Sequence, residues 1–395
     1  MYVTLRPAAK KWAVLLIIFY FLYQQRSIGF ESAIHTAWQG SAHRLVIFGD
    51  DWSDTGTYRA LPAPQDVAVR DPARGKIWAE TLCDELACDL IDNFACSVPM
   101  NADDSTVGSL IHSVVHSATT TGNGYNSSVG DLKTQVEQFL EYEKQKYRIP
   151  KSLRPSDDWT VFAVLFGLWD LLEYSKLEAE YAMRAIDRSI AELFGQLDVL
   201  ASQASMPLHV VIPQMIDITF LPRFRPAGER ASAEFAQMQH QRLFLQTYWN
   251  AVLFQTAALW QGGKVFMPES NAVVIDHVRM KQLQSEGILD ASSTGEHQPL
   301  FEDVEQPCVT IYSGDNAPNL QAAAVEKCSD PTAHLFWDDL HLGPSVHELI
   351  GKQAARLVRG NHTVNSLGTT NGVPDHENTS GHMGGRFTLK FPPNY

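Results

Sequence analysis

A short parallel sheet covered by helices, a three-layer α/β/α arrangement, is the fold class this sequence predicts. Three observations predict it. Continuous apolar runs recur along the chain: RLVIF from Arg44, TVFAVLF from Thr160 and LHVVIP from Leu208. Such runs read as buried strands. Helical patterns alternate with them, as crossover connections require. The clearest is Met183, Ile186, Ile190, Leu193, Leu197 and Leu200, whose steps of 3, 4, 3, 4 and 3 make one continuous helical stripe.

The elements follow in order. Arg44 to Phe48 is the first strand, and Trp78 to Leu86 a helix. A short strand lies near Leu90 to Ala95, and Asp131 to Tyr147 is an amphipathic helix. Thr160 to Phe166 is the second strongly apolar strand, followed by the striped helix. Leu208 to Pro213 is a strand, Ala231 to Ala258 a helix, and Lys264 to Met267 a further strand. The last helix starts near Pro344, whose fixed φ suits a first turn, and ends by Gly360. The folded domain is thus expected over residues 43–360. The remaining residues, 361–395, hold almost no large apolar side chain before the last few and read as a disordered tail. His376 and His382 there read as solvated rather than metal-bound.

Composition bounds the partners. The 395 residues are 45% hydrophobic and 19% charged, enough to bury a full core without disulfide staples. The net charge is -14 and the body of the chain has no basic cluster, which argues against nucleic acid as a partner. Residues 1–29 carry Arg6, Lys10 and Lys11 ahead of an apolar run from Trp12 to Tyr23. Its twelve residues suit a signal-peptide core, whereas a membrane span needs about 17. Its aromatic end and the lack of a small-x-small cleavage site suit a type II anchor. Either reading sends the body across the membrane, leaving this segment as the only membrane contact.

Cysteines and sequons agree with a secretory route. The five cysteines are Cys83, Cys88, Cys96, Cys308 and Cys328. Two local disulfides, Cys83 with Cys88 and Cys308 with Cys328, are the preferred pairing, with Cys96 left buried and inert. Glycosylation sequons occur at Asn126, Asn361 and Asn378.

Four segments carry the chemistry, each near the end of a predicted strand, where open parallel sheets place their sites. FGDDWSDTG, Phe48 to Gly56, follows the first strand. A tight turn there presents Asp51, with Asp54 and Thr55 in the first turns of a helix. NFACSVP runs from Asn93, and FGLWDLL from Phe166. FWDDLHLGPSVHELI runs from Phe336 and holds Asp338 and His341, three apart. That spacing lets a carboxylate orient an imidazole. The bland alternative is a polar loop with a helix cap.

In this order the segments resemble the SGNH/GDSL hydrolase superfamily, above all its secreted fungal-type esterase branch. That family's pattern is F-G-D-S-x-x-D-T-G, then N-[FY]-A-x-[SG]-G-A, then G-x-N-D, then D-x-x-H. GKIWAETL, DLKTQVEQFL and VIPQMIDITFLPRF support the resemblance, which spans residues 44–358. It implies a three-layer SGNH-hydrolase fold and hydrolysis of small acyl esters, such as acetyl on a carbohydrate. It implies no cofactor and no metal. By position, His341 is the base and Asp338 its partner. The oxyanion-hole region falls on Val98, Gly167 and Trp169.

Three positions depart from the pattern. Asp51 stands for the serine nucleophile, Val98 for a glycine and Trp169 for an asparagine. Val98 still offers an N–H, and the Trp169 indole has one donor; Trp169 otherwise reads as a core or rim aromatic. Beside His341, Asp51 is expected to form an ion pair and hold the imidazole protonated. Ser53, two residues on, would point about 200° away along a helix. Three readings of Asp51 stay open: a non-hydrolytic relative acting as a lumenal or extracellular binder, a hydrolase in which Asp51 activates water, and a metal site with Asp50 and Asp54. Trp52, Trp78, Trp249 and Trp337 read as packing residues, and His347 as a helix-surface residue.

Overall fold

A computed structural model describes residues 43–56, 70–97, 108–113, 130–146, 159–204, 206–225, 232–287, 299–312 and 324–364. The N-terminal segment, Val98, the sequons at Asn126 and Asn378, His376, His382 and most of the tail lie outside the described residues.

The fold is α/β. A five-stranded sheet has the order β2-β1-β3-β4-β5, and every neighbouring pair is parallel. Its strands are β1 (His43–Gly49), β2 (Leu90–Asn93), β3 (Trp159–Leu165), β4 (Leu208–Val211) and β5 (Gly263–Phe266). Leu45, Val46, Ile47 and Phe48 are all fully buried, so β1 is covered on both faces. This is why β1 and β3 are unbroken apolar runs rather than alternating ones.

The helices are α1 (Trp78–Leu86), α2 (Leu132–Lys146), α3 (Leu168–Tyr174), α4 (Ala179–Gln203), α5 (Ala233–Leu259), α6 (Ser270–Ser285) and α7 (Pro344–Gly360). Among the described residues, none is long and apolar enough to cross a membrane. α1 packs on α7, and α4 on α5. Phe139 of α2 meets Phe48 and Phe162 edge-on, joining that helix to the sheet. The predicted stripe on α4 is buried at Ile186, Ile190, Leu193, Leu197 and Leu200. Trp52, Trp78, Trp249 and Trp337 are buried, as expected of packing residues.

Among the described residues no helix directly follows β1; Asp50–Ser53 forms a single turn, closed by Ser53 N–H and Asp54 N–H donating to the Asp50 carbonyl, both at 3.0 Å. His347 is fully buried rather than on a helix surface. It shares the inner stripe of α7 with Ile350, Gly351, Ala354 and Val358. Cys308 and Cys328 form a disulfide, whereas Cys83 and Cys88 are thiols. Cys83 faces the core from α1, and Cys88 follows the left-handed Ala87 that ends the helix. A hydrogen bond to Cys83, and then burial, push the Cys88 thiol pKa up. Cys96 is a half-buried thiol rather than a buried one. α6 and the antiparallel hairpin of β6 (Val309–Tyr312) and β7 (Ala324–Lys327) were not anticipated.

Candidate active site

The sheet order reverses direction between β1 and β3, and such a switch point opens a crevice beyond the strand ends. Gly49 of β1 is in register with Leu165 of β3. The two strands therefore release their exit loops side by side. Asp51 comes from the first loop and Trp169 from the first turn of α3, just beyond the second. The Trp169 indole Nε1 donates to Asp51 Oδ1 at 2.7 Å.

The β1 turn is held from several directions. Gln135 of α2 donates to the Gly49 carbonyl and accepts from its N–H, both at 2.9 Å. A Cβ on Gly49 would lie 2.8 Å from the Leu165 carbonyl oxygen, so the two strand ends need a glycine there. Asp54 accepts from Ser97 N–H at 3.0 Å and Ser97 Oγ at 2.7 Å, tying the first motif to the second. Asn93 Nδ2 donates to Thr55 Oγ1 at 2.7 Å. Ser53 is fully buried and its Oγ accepts from Trp78 Nε1 at 3.2 Å. Its hydroxyl is thus engaged by the Trp78 indole.

His341 arrives on the loop before α7. Arg223 secures that loop, its Nε donating to Asp339 Oδ2 at 2.8 Å. Asp338 Oδ1 accepts from Leu340 N–H at 2.9 Å and His341 N–H at 2.8 Å, a tight Asx turn. The same carboxylate takes the His341 ring, with Nδ1 at 2.8 Å from both oxygens. On the other side, His341 Nε2 meets Asp51 Oδ2 at 2.8 Å. The imidazole is thus held between two carboxylates.

The electrostatics follow from that geometry. Burial alone would lower the His341 pKa, but the charges of Asp338 and Asp51 outweigh burial and Arg74 and raise it to about 9. His341 is an imidazolium at neutral pH, and both ring N–H groups donate. Burial pushes the Asp338 carboxyl up, yet the charge and hydrogen bond of His341, with Arg74, hold it well below the usual carboxylate range. Burial first, then Asp51, raises the fully buried Asp50 well above that range. Burial also lifts Asp170 to about 7. Asp50 and Asp170 therefore sit behind the site as acids that resist ionising, while Asp51 is the carboxylate paired with His341.

Sequence reasoning did not find two further residues. A Cβ on Gly108 would lie 2.0 Å from Trp169 Nε1 and 2.7 Å from Asp51 Oδ1, so backbone lies directly against the Asp51–Trp169 pair. Arg74, in a short 3₁₀ turn before α1, contributes a positive charge beside Asp338 and Asp51. Neither belongs to a local motif; each reaches the site only through tertiary approach.

The expected oxyanion-hole residues divide. Trp169 points its donor at Asp51, so it is more than a rim aromatic. Gly167 caps α3 with φ of 128°, a left-handed conformation that favours glycine. A Cβ there would also lie 2.7 Å from the Trp249 ring. Val98 lies outside the described residues. Among the described residues, no group of three His, Cys, Asp or Glu side chains is arranged to hold a metal ion.

Chemically, the arrangement orients an imidazolium and presents a carboxylate, but lacks a free base. Asp51 has one oxygen bound by Trp169 and the other by His341. No family model matches the chain, and no curated protein matches it.

Proposed function

We propose that this chain is a serine-less relative of the SGNH/GDSL ester hydrolases, whose cleft binds a small-molecule or carbohydrate ligand without cleaving an ester. The supporting observation is the contact between Asp51 Oδ2 and His341 Nε2 at 2.8 Å. In the family's reaction a serine attacks the carbonyl after histidine removes its proton. Here the corresponding oxygen is a carboxylate already paired with an imidazolium. Attack by Asp51 would produce a mixed anhydride, and the ring beside it has no lone pair with which to activate water.

The address proposed for this function is the lumenal or extracellular side of a membrane. The apolar segment before residue 29 and the Cys308–Cys328 disulfide both suit that route.

The hydrolase reading makes an opposite forecast for one assay. Initial rates on p-nitrophenyl acetate and an acetylated sugar are compared for the natural chain, Asp51→Ser and His341→Ala. The binding reading expects a silent natural chain and measurable, His341-dependent turnover once serine is restored. Turnover by the natural chain that His341→Ala abolishes would refute it and reinstate hydrolysis by a mechanism built on Asp51.

A further inference from the structure

Three buried donors near the His341 cluster have no acceptor: Arg74 Nε, Arg74 Nη2 and His347 Nε2. Their position follows from the fold. A Cβ on Gly75 would stand 2.9 Å from the Pro344 Cβ. That close approach brings Gly75, the neighbour of Arg74, against Pro344, which lies between His341 and His347 in the chain. The Arg74 charge acts on Asp338, Asp51, His341 and His347 alike.

All three atoms are donors, which decides what is missing. Trp78 N–H donates to His347 Nδ1 at 3.4 Å, which leaves the ring proton on Nε2. His347 itself is fully buried. Burial, followed by the charges of Arg74 and His341, holds its pKa well below the ordinary value, so the ring stays neutral. Buried donors without acceptors are costly and uncommon in folded proteins. An acceptor-only group supplied from outside would satisfy them.

The geometry of the guanidinium narrows the class. Nε and Nη2 lie on one edge of the plane, and their two parallel N–H groups match the two oxygens of a carboxylate. The neighbouring Asp51 and Asp338 disfavour a second negative charge on the ligand. That selects a monoanion over a phosphate.

We propose that Arg74 and His347 form a carboxylate-binding subsite beside the Asp51–His341–Asp338 cluster. The ligand is a small carboxylic acid or an acidic sugar. This deepens the reading of the cleft as a binding site and rests on it.

The test is calorimetric titration of the full chain with sodium acetate and sodium glucuronate at constant ionic strength, with chloride and phosphate alongside. The natural chain binds at least one carboxylate more tightly than phosphate or chloride. Arg74→Lys, which keeps the charge and loses the fork, weakens that binding at least about tenfold, the size of one charge-assisted hydrogen bond. Preference for acetate identifies a small acid, and preference for glucuronate an acidic sugar. Binding of neither carboxylate, equal binding by Arg74→Lys, or phosphate binding as tight as the carboxylates overturns the proposal. A shift of the His347 ring proton on adding acetate to the natural chain reads the same contact without any substitution; no shift at saturating acetate counts against it. Turnover of p-nitrophenyl acetate in the same preparation separates the two readings. Turnover together with Arg74-dependent carboxylate binding overturns only the non-hydrolytic reading. Silence without carboxylate binding overturns only the subsite.

Discussion

Asp51 Oδ2 lies 2.8 Å from His341 Nε2, and Asp51 Oδ1 lies 2.7 Å from the Trp169 indole. A serine hydroxyl at this position would accept from or donate to His341 and leave the ring able to lose a proton. A carboxylate instead stabilises the protonated ring. A carboxylate here thus sets the protonation state of the histidine, and the consequences extend to stability and pH dependence.

The first consequence is a pH-dependent stability term. The folded pKa of His341 rises from 6.5 to about 9. A raised histidine pKa stabilises fully below the unfolded value, and that contribution fades as pH climbs through the folded value. Asp51→Asn removes the charge that Asp51 contributes. The variant is therefore expected to be less stable than the natural chain by about 2 kcal/mol at pH 6. The gap narrows by pH 10. Urea midpoints at both pH values measure it, and a gap that stays constant or widens contradicts the ion pair.

The buried acid behind the site has the opposite relation to charge. The Asp170 pKa rises to about 7 because burial penalises its charged form more than the hydrogen bonds from the Ile111 backbone and Tyr174 favour it. A carboxyl with a raised folded pKa contributes most below its unfolded value and loses that contribution as pH rises through about 7. Asp170→Asn cannot ionise. Relative to the natural chain, it is expected to gain in melting temperature on going from pH 5 to pH 8. A thermal melt at each pH checks this, and a pH-independent difference sinks it.

Gly108 is a packing constraint on the site. An added Cβ would meet Trp169 Nε1 at 2.0 Å and Asp51 Oδ1 at 2.7 Å. Gly108→Ala must displace the backbone or break the indole–carboxylate bond. The expected loss is about 1–3 kcal/mol, as for other overpacked positions. Denaturant unfolding followed by tryptophan fluorescence reads both the stability and the change around Trp169.

The disulfide pattern is directly checkable. Alkylation in denaturant without reductant should label Cys83, Cys88 and Cys96, while Cys308 and Cys328 stay blocked until reduction. Their separation of 20 residues corresponds to about 3 kcal/mol in the chain-entropy account. Reduction is expected to lower the unfolding free energy by roughly that amount. Peptide mapping that finds Cys83 joined to Cys88 would contradict the thiol assignment.

Much of the fold was legible because burial writes itself into sequence. β1 and β3 are covered on both faces, so Leu45–Phe48 and Val161–Leu165 are apolar without a break. Pro344 and Gly360 bound α7 in the sequence and in the fold. α6 escaped notice because only Ser270, Val274 and Val278 are buried, too thin a stripe to detect. The residues β6 and β7 hold form a short hairpin outside the main sheet and carry no long apolar run.

The candidate site was half legible. Asp51, Trp169, Asp338 and His341 come from motifs at strand ends and from one local turn, so order and spacing point to them. His347 was misjudged by its distance from His341, although it shares a helical face with Ile350, Gly351 and Ala354. Asp54 was assigned to a helix start, but its oxygens instead tie Ser97 to the first motif. Arg74 and Gly108 left no local signal. Their roles depend on Gly75 meeting Pro344 and on backbone meeting an indole, approaches that only the folded chain creates.

The most direct test of the central claim is nitrogen-detected NMR titration of the His341 ring in the natural chain and in Asp51→Ser. Both ring nitrogens of the natural chain are expected to stay protonated through neutral pH and to titrate near 9. Asp51→Ser is expected to move that transition downward. A His341 that titrates near its ordinary value in the natural chain, or is unmoved by Asp51→Ser, would contradict that claim.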